Sequence, residues 1–331
     1  MSLKQQLEST ASHVNSFILS ILEGKPRDLY LASSHYIKSG GKRLRPFMVI
    51  KSCEMLGGKA EHALHVAAAV EMVHNFTLVH DDVMDNDEVR HNVPTVHKYY
   101  GLPLAILAGD VLFSKAFQAI ALYGKKAGLP DSVIPQLISR LSQSCIDVSE
   151  GQALDIDMAS NTKFSSESQY INMISKKTGA LFAVSCELGA MCAVTNRIDI
   201  ENLADFGRNI GIAFQIVDDL IGVAGDSKIT KKPVGNDIRE GKKTLPILLA
   251  IKKVKGDDKD KLLKVFGSKN ATDMELKAAV DVLVNIGVDD EVRKMARFYA
   301  SKAMNALKSY DDSKAKYALR SLADFIVERT L

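Results

Sequence analysis

Between Pro135 and Pro233 the chain contains no proline, and apolar side chains recur there at the three- and four-residue spacing of a helix face. Proline inside a helix removes a hydrogen bond and clashes with the preceding turn, so its absence leaves room for several long, unbroken helices. Segments 62–83 (HALHVAAAVEMVHNFTLVHDDV), 131–156 (DSVIPQLISRLSQSCIDVSEGQALDI) and 197–222 (RIDIENLADFGRNIGIAFQIVDDLIG) share that periodicity and are enriched in Ala and Leu, both good helix formers. Alternating strand-like runs are lacking. Breaks fall at 23–28, 38–46, 91–95, 101–103, 128–130 and 226–237, and none has the composition of a flexible interdomain linker. The expectation is one all-α domain over residues 1–331, with 252–331, richer in Lys and Asp, as peripheral helices that cover the site.

Size and charge narrow the function classes. A chain of 331 residues with 46% apolar content can bury a substantial core. Forty-three basic residues against forty acidic ones leave a net charge near +3, too balanced for a nucleic-acid partner or a polybasic membrane anchor. Any basic site must therefore be local. The chain shows no run of eighteen apolar residues, and MSLKQQLEST lacks the apolar core of a signal peptide, so no transmembrane segment and a cytoplasmic location are expected. Cys53, Cys145, Cys186 and Cys192 lie scattered in apolar contexts without metal-ligand spacing and read as core residues.

Two acidic motifs end helical, apolar runs: FTLVHDDVMD at 76–85 and FQIVDDLIG at 214–222. On a helix Asp81 and Asp85, four residues apart, share one face with Cβ atoms about 5–6 Å from each other. Two carboxylates so placed repel, and a divalent cation reverses the sign of that interaction. Asp218 and Asp219 repeat the device, and Asp237 follows in the next loop. An exposed acidic helix end is the bland reading of either motif alone. Magnesium takes hard oxygen ligands and is commonly held by one or two carboxylates together with substrate phosphates, so two such clusters suggest a diphosphate gripped between them. Basic residues suited to phosphate oxygens lie in separate segments: GGKRLRP at 40–46, Arg90, KKT at 176–178, and KKP and GKKT between 231 and 244.

GGKRLRP, LVHDDVMD, GDVLFSKAF, EGQALD, KKTGALF, FQIVDD and KPVGNDIREGKKTLP occur in the order seen in the trans-isoprenyl diphosphate synthases. Over about residues 30–250 the chain most closely resembles archaeal members that make geranylgeranyl diphosphate. The resemblance implies an isoprenoid-synthase-type helical bundle around a central cavity, a homodimer, and three Mg2+ ions per active site, replaceable by Mn2+. Asp81, Asp85 and Asp218 would be direct metal ligands, with Asp82, Asp219 and Asp237 supporting them or acting through water. Arg90, Lys177, Lys232 and Lys242 would hold the allylic diphosphate (dimethylallyl, geranyl or farnesyl). Lys42, Arg45 and His74 would hold isopentenyl diphosphate. Gln152, Asp155, Thr178, Phe214 and Gln215 match positions lining the reacting centre.

Two positions depart from the family pattern. Gly222 stands where many members carry a third aspartate, and His91 stands where a second arginine commonly contacts isopentenyl diphosphate. His91 can still donate a hydrogen bond, and a charge when protonated near its usual pKa of about 6.5. The implied chemistry ionises the allylic C–O bond, lets the isopentenyl double bond attack the cation, and returns a proton to the released pyrophosphate. Phe76 and Thr77, five and four residues before Asp81, match the positions that form the floor against which the growing chain stops. An aromatic residue followed by a small one is the pattern expected for a C20 product. Farnesyl or longer polyprenyl synthesis, or the non-catalytic subunit of a heteromeric synthase, are the alternatives.

Rival readings explain less. EMVH at 71–74 is a single Glu-x-x-His, whereas di-iron bundles need two. His80-Asp81 as a metal phosphohydrolase leaves the second aspartate motif and the basic loops unused. GNDIREGKKT has five residues between its glycines where a P-loop has four, and no strand precedes it. A terpene cyclase needs an aromatic-lined pocket, and this chain has no tryptophan.

Overall fold

The computed structural model describes the chain apart from His91, Thr195 and residues 225–234 and 329–331. In chain order its α-helices are α1 (Leu3–Ile21), α2 (Arg27–Ser33), α3 (His35–Lys38), α4 (Leu44–Met55), α5 (Ala60–Asp85), α6 (Val96–Tyr100), α7 (Leu102–Tyr123), α8 (Ile134–Ser160), α9 (Glu167–Ile174), α10 (Ala180–Met191) and α11 (Arg197–Ala224). They continue as α12 (Asn236–Glu240), α13 (Leu245–Lys253), α14 (Gly256–Val265), α15 (Asp273–Asn285), α16 (Val288–Ala306) and α17 (Lys314–Val327). The three segments with the clearest helical period are thus α5, α8 and α11; α5 and α11 run about two residues further, and α8 starts three residues later and ends four later. Among the described residues the sheet content is one antiparallel pair, Val89–Arg90 against Val93–Pro94, formed at the 91–95 break.

Local chemistry sets several of the boundaries. Ser2 with Gln5, Ser166 with Gln169 and Thr272 with Glu275 form reciprocal capping boxes that start α1, α9 and α15. Pro103 enters α7 in its first turn, where its missing N–H costs nothing. Asn86, at φ 55°, stops α5 directly after Asp85, so the aspartates of the first motif occupy the last turn of that helix.

The residues fall into two compact units. The first comprises Met1–Cys145, Leu181–Gly207 and Ser309–Leu319. There α5 packs along α7 and α4, and Ala63, Ala67 and Ala68 on α5, with Ala105, Ala108 and Ala116 on α7, are fully buried. Small side chains let the two helix backbones approach closely, while Phe47, Met48, Met72 and Leu112 fill the remaining volume. Burying a side chain such as Phe47 or Leu112 contributes about 1.5–3 kcal/mol.

The second unit comprises Ile146–Ala180, Arg208–Lys308 and Arg320–Leu331. Its core joins Tyr170, Ile216, Val223, Leu245 and Ile247 to Leu262, Leu276, Ala279 and Val292. Residues 252–308 therefore supply buried side chains as well as surface. Between α9 and α10 the helix widens into a π-helical turn, Ser175–Gly179. Such turns are rare and occur frequently at functional sites; this one carries Lys177 and Thr178.

Candidate active site

In the first unit the two adjacent aspartates at the end of α5 have opposite fates. Successive helix positions point about 100° apart. Asp82 is fully buried, whereas Asp81 is half-buried and Asp85 exposed. The Tyr36 hydroxyl donates to Asp82 Oδ2, and Arg90 Nε donates to Oδ1 at 2.6 Å. Burial pushes the Asp82 carboxyl upward in pKa, against the pull of the Arg90 guanidinium. Arg90 Nη2 also lies 3.7 Å from Asp81 and 3.8 Å from Asp87, which places the arginine expected at the allylic diphosphate among carboxylates. The Val96 N–H donates to the Tyr36 oxygen at 3.3 Å, tying the segment after the motif to the same hydroxyl.

The GGKRLRP segment is built around Arg43. At φ 50° and buried, Arg43 donates to Asn15 Oδ1 (2.8 Å), Glu71 Oε1 (3.0 Å) and the Ile37 carbonyl (2.9 Å). Asn75 donates to the same Glu71 oxygen at 3.0 Å. Glu71, the acid of EMVH, is thus the buried counter-ion of Arg43. On either side of Arg43 lie Lys42, exposed, and Arg45, which stacks over the Phe182 ring at 4.4 Å with Nη1 3.3 Å from His74 Nε2. Burial lowers the Arg45 guanidinium to about 10. The structure therefore brings Arg45 and His74 together.

Phe76 is half-buried, its ring 4.7 Å from His80 and 5.1 Å from Phe113 of α7, with Phe117 a further 5.0 Å beyond. Thr77 donates back to the His74 carbonyl at 2.8 Å. The sequence reading found Phe76 and missed Phe113 and Phe117, which share one helix face four residues apart but lie far from the motif in sequence.

The second unit repeats the arrangement at the end of α11. Asp218 is exposed and Asp219 buried. Tyr170 Oη donates to Asp219 Oδ2 at 2.5 Å, and Gln215 Nε2 donates to Oδ1 at 2.7 Å. Burial pushes the Asp219 carboxyl up to about 8, with the two donors opposing it. Gln215 Oε1 accepts from Thr178 Oγ1 at 2.8 Å, so its amide is engaged at both ends. Lys177 Nζ lies 2.5 Å from Asp155 of α8. Gln152 and Phe214 are half-buried. Gly151 of EGQALD is required by contact: a Cβ there would lie 2.1 Å from the Lys177 backbone nitrogen, so glycine lets α8 meet the π-helical turn.

Gly222 has a related role. A Cβ at this position would lie 2.2 Å from Asp237 Oδ2, so the carboxylate of the following segment occupies the space that a side chain at 222 would need. Asp237 is buried, and its charge is one of the causes that raise Asp219. Of the GKKT lysines, Lys242 pairs with Glu240 at 2.7 Å. Lys243 is buried and donates to the Met158, Asn161 and Lys163 carbonyls, closing the C-terminal end of α8. Lys232 and His91 lie outside the described residues.

The first aspartate pair stands in the last turn of α5, where the partial negative charge of the helix dipole adds to carboxylate repulsion. The second lies five to six residues before Ala224 of α11, where carboxylate repulsion dominates. A cation offsets both terms. Among the described residues no group of three His, Cys, Asp or Glu side chains is gathered to enclose an ion.

The class of protein that joins an all-helical chain to aspartate pairs at helix ends, with lysines and arginines nearby, is the diphosphate-using helical synthases. The chain belongs to the polyprenyl synthetase family, whose profile matches residues 26–283. It is 43% identical over 318 residues to the geranylgeranyl diphosphate synthase of Sulfolobus acidocaldarius, covering 96% of this chain and 95% of that one. It is 40% identical over 320 residues to the geranylfarnesyl diphosphate synthase of Aeropyrum pernix, covering 96% and 99%. The crystal structure of geranylgeranyl pyrophosphate synthetase from Pyrococcus horikoshii superposes with a TM-score of 0.92 at 40% identity, covering 99% and 98%. The helical fold is that of the isoprenoid synthases.

Proposed function

We propose that the chain is a chain-elongating prenyltransferase that condenses isopentenyl diphosphate with allylic diphosphates, releases pyrophosphate, and stops at geranylgeranyl diphosphate. The observation that carries this reading is the doubled aspartate helix end, Asp81/Asp82 and Asp218/Asp219, each with its second carboxylate turned inward, in a member of the polyprenyl synthetase family. Residues 26–283 of the family match run through both units, which supports treating the chain as one functional domain.

Asp81, Asp85 and Asp218 are the residues that would hold magnesium, with Asp237 assisting. Magnesium held by these carboxylates would supply Lewis-acid withdrawal of electron density from the allylic diphosphate. The chain's own groups do the rest. Lys177, Lys242 and Arg90 neutralise the departing diphosphate as the allylic C–O bond breaks and its electron pair leaves with pyrophosphate. Arg45, Lys42 and His74 fix isopentenyl diphosphate so that its double bond meets the allylic carbon and forms the new C–C bond. The carbocation left on the isopentenyl unit then loses a proton from the neighbouring carbon to pyrophosphate, the C–H electron pair forming the new double bond, so no protein nucleophile or base is required. Gln215, held between Thr178 and Asp219, and Phe214 present a fixed, water-poor wall to the cation.

Replacing Lys42 or Arg45 with alanine is expected to raise the KM for isopentenyl diphosphate by about tenfold or more, as for loss of a charge-assisted hydrogen bond, with a much smaller change for the allylic substrate. Initial-rate kinetics with each substrate varied in turn check this; equal effects on both would show that the two diphosphate sites are misassigned.

Among the described residues one helix, α7, is long and apolar enough by composition to cross a membrane, at a mean hydropathy of 1.5. Its Leu102, Ile106, Leu107 and Leu122 are exposed, and the helix also packs on α5. We read these exposed apolar side chains as part of the contact with a second copy in a cytoplasmic homodimer. Function is tested by incubating the protein with magnesium, labelled isopentenyl diphosphate and dimethylallyl, geranyl or farnesyl diphosphate, then separating the products. C20 is expected from every primer, and no elongation of any primer overturns the assignment.

A further inference from the structure

The two aspartate motifs share a construction that neither motif displays in sequence. In each, the second aspartate of the pair is buried and takes one hydrogen bond from a tyrosine hydroxyl and one from a neighbouring N–H donor. At the first motif these are Tyr36 and Arg90, and at the second Tyr170 and Gln215. Tyr36 is 3% exposed and Tyr170 1%, so both hydroxyls are committed to the interior. The tyrosines come from unrelated elements, α3 in one unit and α9 in the other. Two independent occurrences of one arrangement argue against an accident of local packing.

We infer that Tyr36 and Tyr170 are positioning residues that decide which carboxylate of each pair faces the cation. A carboxylate accepting two donors in the interior is held there, because leaving a buried acceptor unpartnered is costly. With Asp82 and Asp219 fixed inward, the 100° step of the helix turns Asp81 and Asp218 to the other flank. Asp85, four residues after Asp81, follows it onto the same face. Removing the hydroxyl would leave the inner carboxylate short of a donor and able to rotate toward the cation, so the pair would no longer present one defined ligand. The outer carboxylate need not change its own contacts for this to happen.

The inference rests on the cation-binding role proposed above, and the test separates the two. Mn2+ is titrated into the full-length protein in the presence of inorganic pyrophosphate, and free Mn2+ is read by electron paramagnetic resonance. Tyr36→Phe and Tyr170→Phe each remove one oxygen atom and keep the ring that fills the core, and thermal melts report their stability. Each is expected to weaken Mn2+ binding about tenfold or more, the scale of one hydrogen bond to a charged group. In assays the apparent KM for magnesium should rise more than kcat falls. Because the tyrosine acts through its aspartate, Tyr170→Phe combined with Asp219→Asn should bind Mn2+ no more weakly than Asp219→Asn alone. Tyr317→Phe, which removes an exposed tyrosine–aspartate bond of 3.0 Å to Asp312, should leave Mn2+ binding unchanged. Phenylalanine variants that hold Mn2+ within twofold of the parent, even if they melt at lower temperature, would reduce both hydroxyls to structural bonds and overturn the inference. A parent protein that binds no Mn2+ with pyrophosphate overturns the cation site itself.

Discussion

Alanine at Asp81 or at Asp218 lowers turnover by about 100- to 1,000-fold, the range seen when one preorganised electrostatic contact to a developing charge is lost. Both carboxylates point away from the core, Asp218 exposed and Asp81 half-buried, while the buried members Asp82 and Asp219 keep their tyrosine partners. The fold should therefore lose little, within about 1 kcal/mol, since substitutions away from core features are usually small in effect. Steady-state rates at saturating magnesium, with circular dichroism to confirm helix content, measure the outcome. Near-normal turnover in either variant would show that one motif suffices and would remove the two-cluster mechanism.

Alanine at Phe76 is expected to lengthen the product by at least one five-carbon unit. The ring stands between His80 and Phe113, and Phe117 continues the row, so truncation opens space toward two further phenylalanines instead of an open end. The product should grow by a limited increment, and Phe76→Ala combined with Phe113→Ala should extend it further. Because Phe76 is only half-buried, the stability cost should fall at or below the lower end of the range for a buried aromatic, about 3 kcal/mol. Chromatography of the dephosphorylated products decides. Unchanged C20 in the single and the double variant would take this phenylalanine row out of chain-length control.

Helix periodicity made the long elements readable, because α5, α8 and α11 carry their apolar stripes over many turns and no proline interrupts α11. The aspartates were readable for a related reason: Asp81 and Asp85 lie within one helix turn, so their proximity follows from chain geometry. What stayed hidden are contacts between distant segments. Tyr36 is 46 residues from Asp82 and Tyr170 is 49 from Asp219, and no local pattern links them. Lys243 belongs to the basic GKKT segment, but only tertiary packing, which brings the end of α8 to it, shows it to be a helix cap. Glu71 and His74 looked like half a metal motif, yet Glu71 serves Arg43 and His74 serves Arg45, partners that belong to α4 and the turn before it.

The contact between Gly222 and Asp237 bears on how this sequence can change over generations. An aspartate arising at 222 would meet the carboxylate of Asp237 almost at once, since even a Cβ there falls 2.2 Å from its oxygen. Loss of Asp237 alone would remove a carboxylate from the neighbourhood of Asp219 with nothing to replace it. A side chain at 222 would push the Asp237 carboxylate aside, and loss of Asp237 would free that space. The effect of a change at one position therefore depends on the residue at the other, a dependence expected of residues that share the same space. Gly222 and Asp237 should vary as a pair among descendants of this chain, and a substitution tolerated at one should be judged by the residue present at the other.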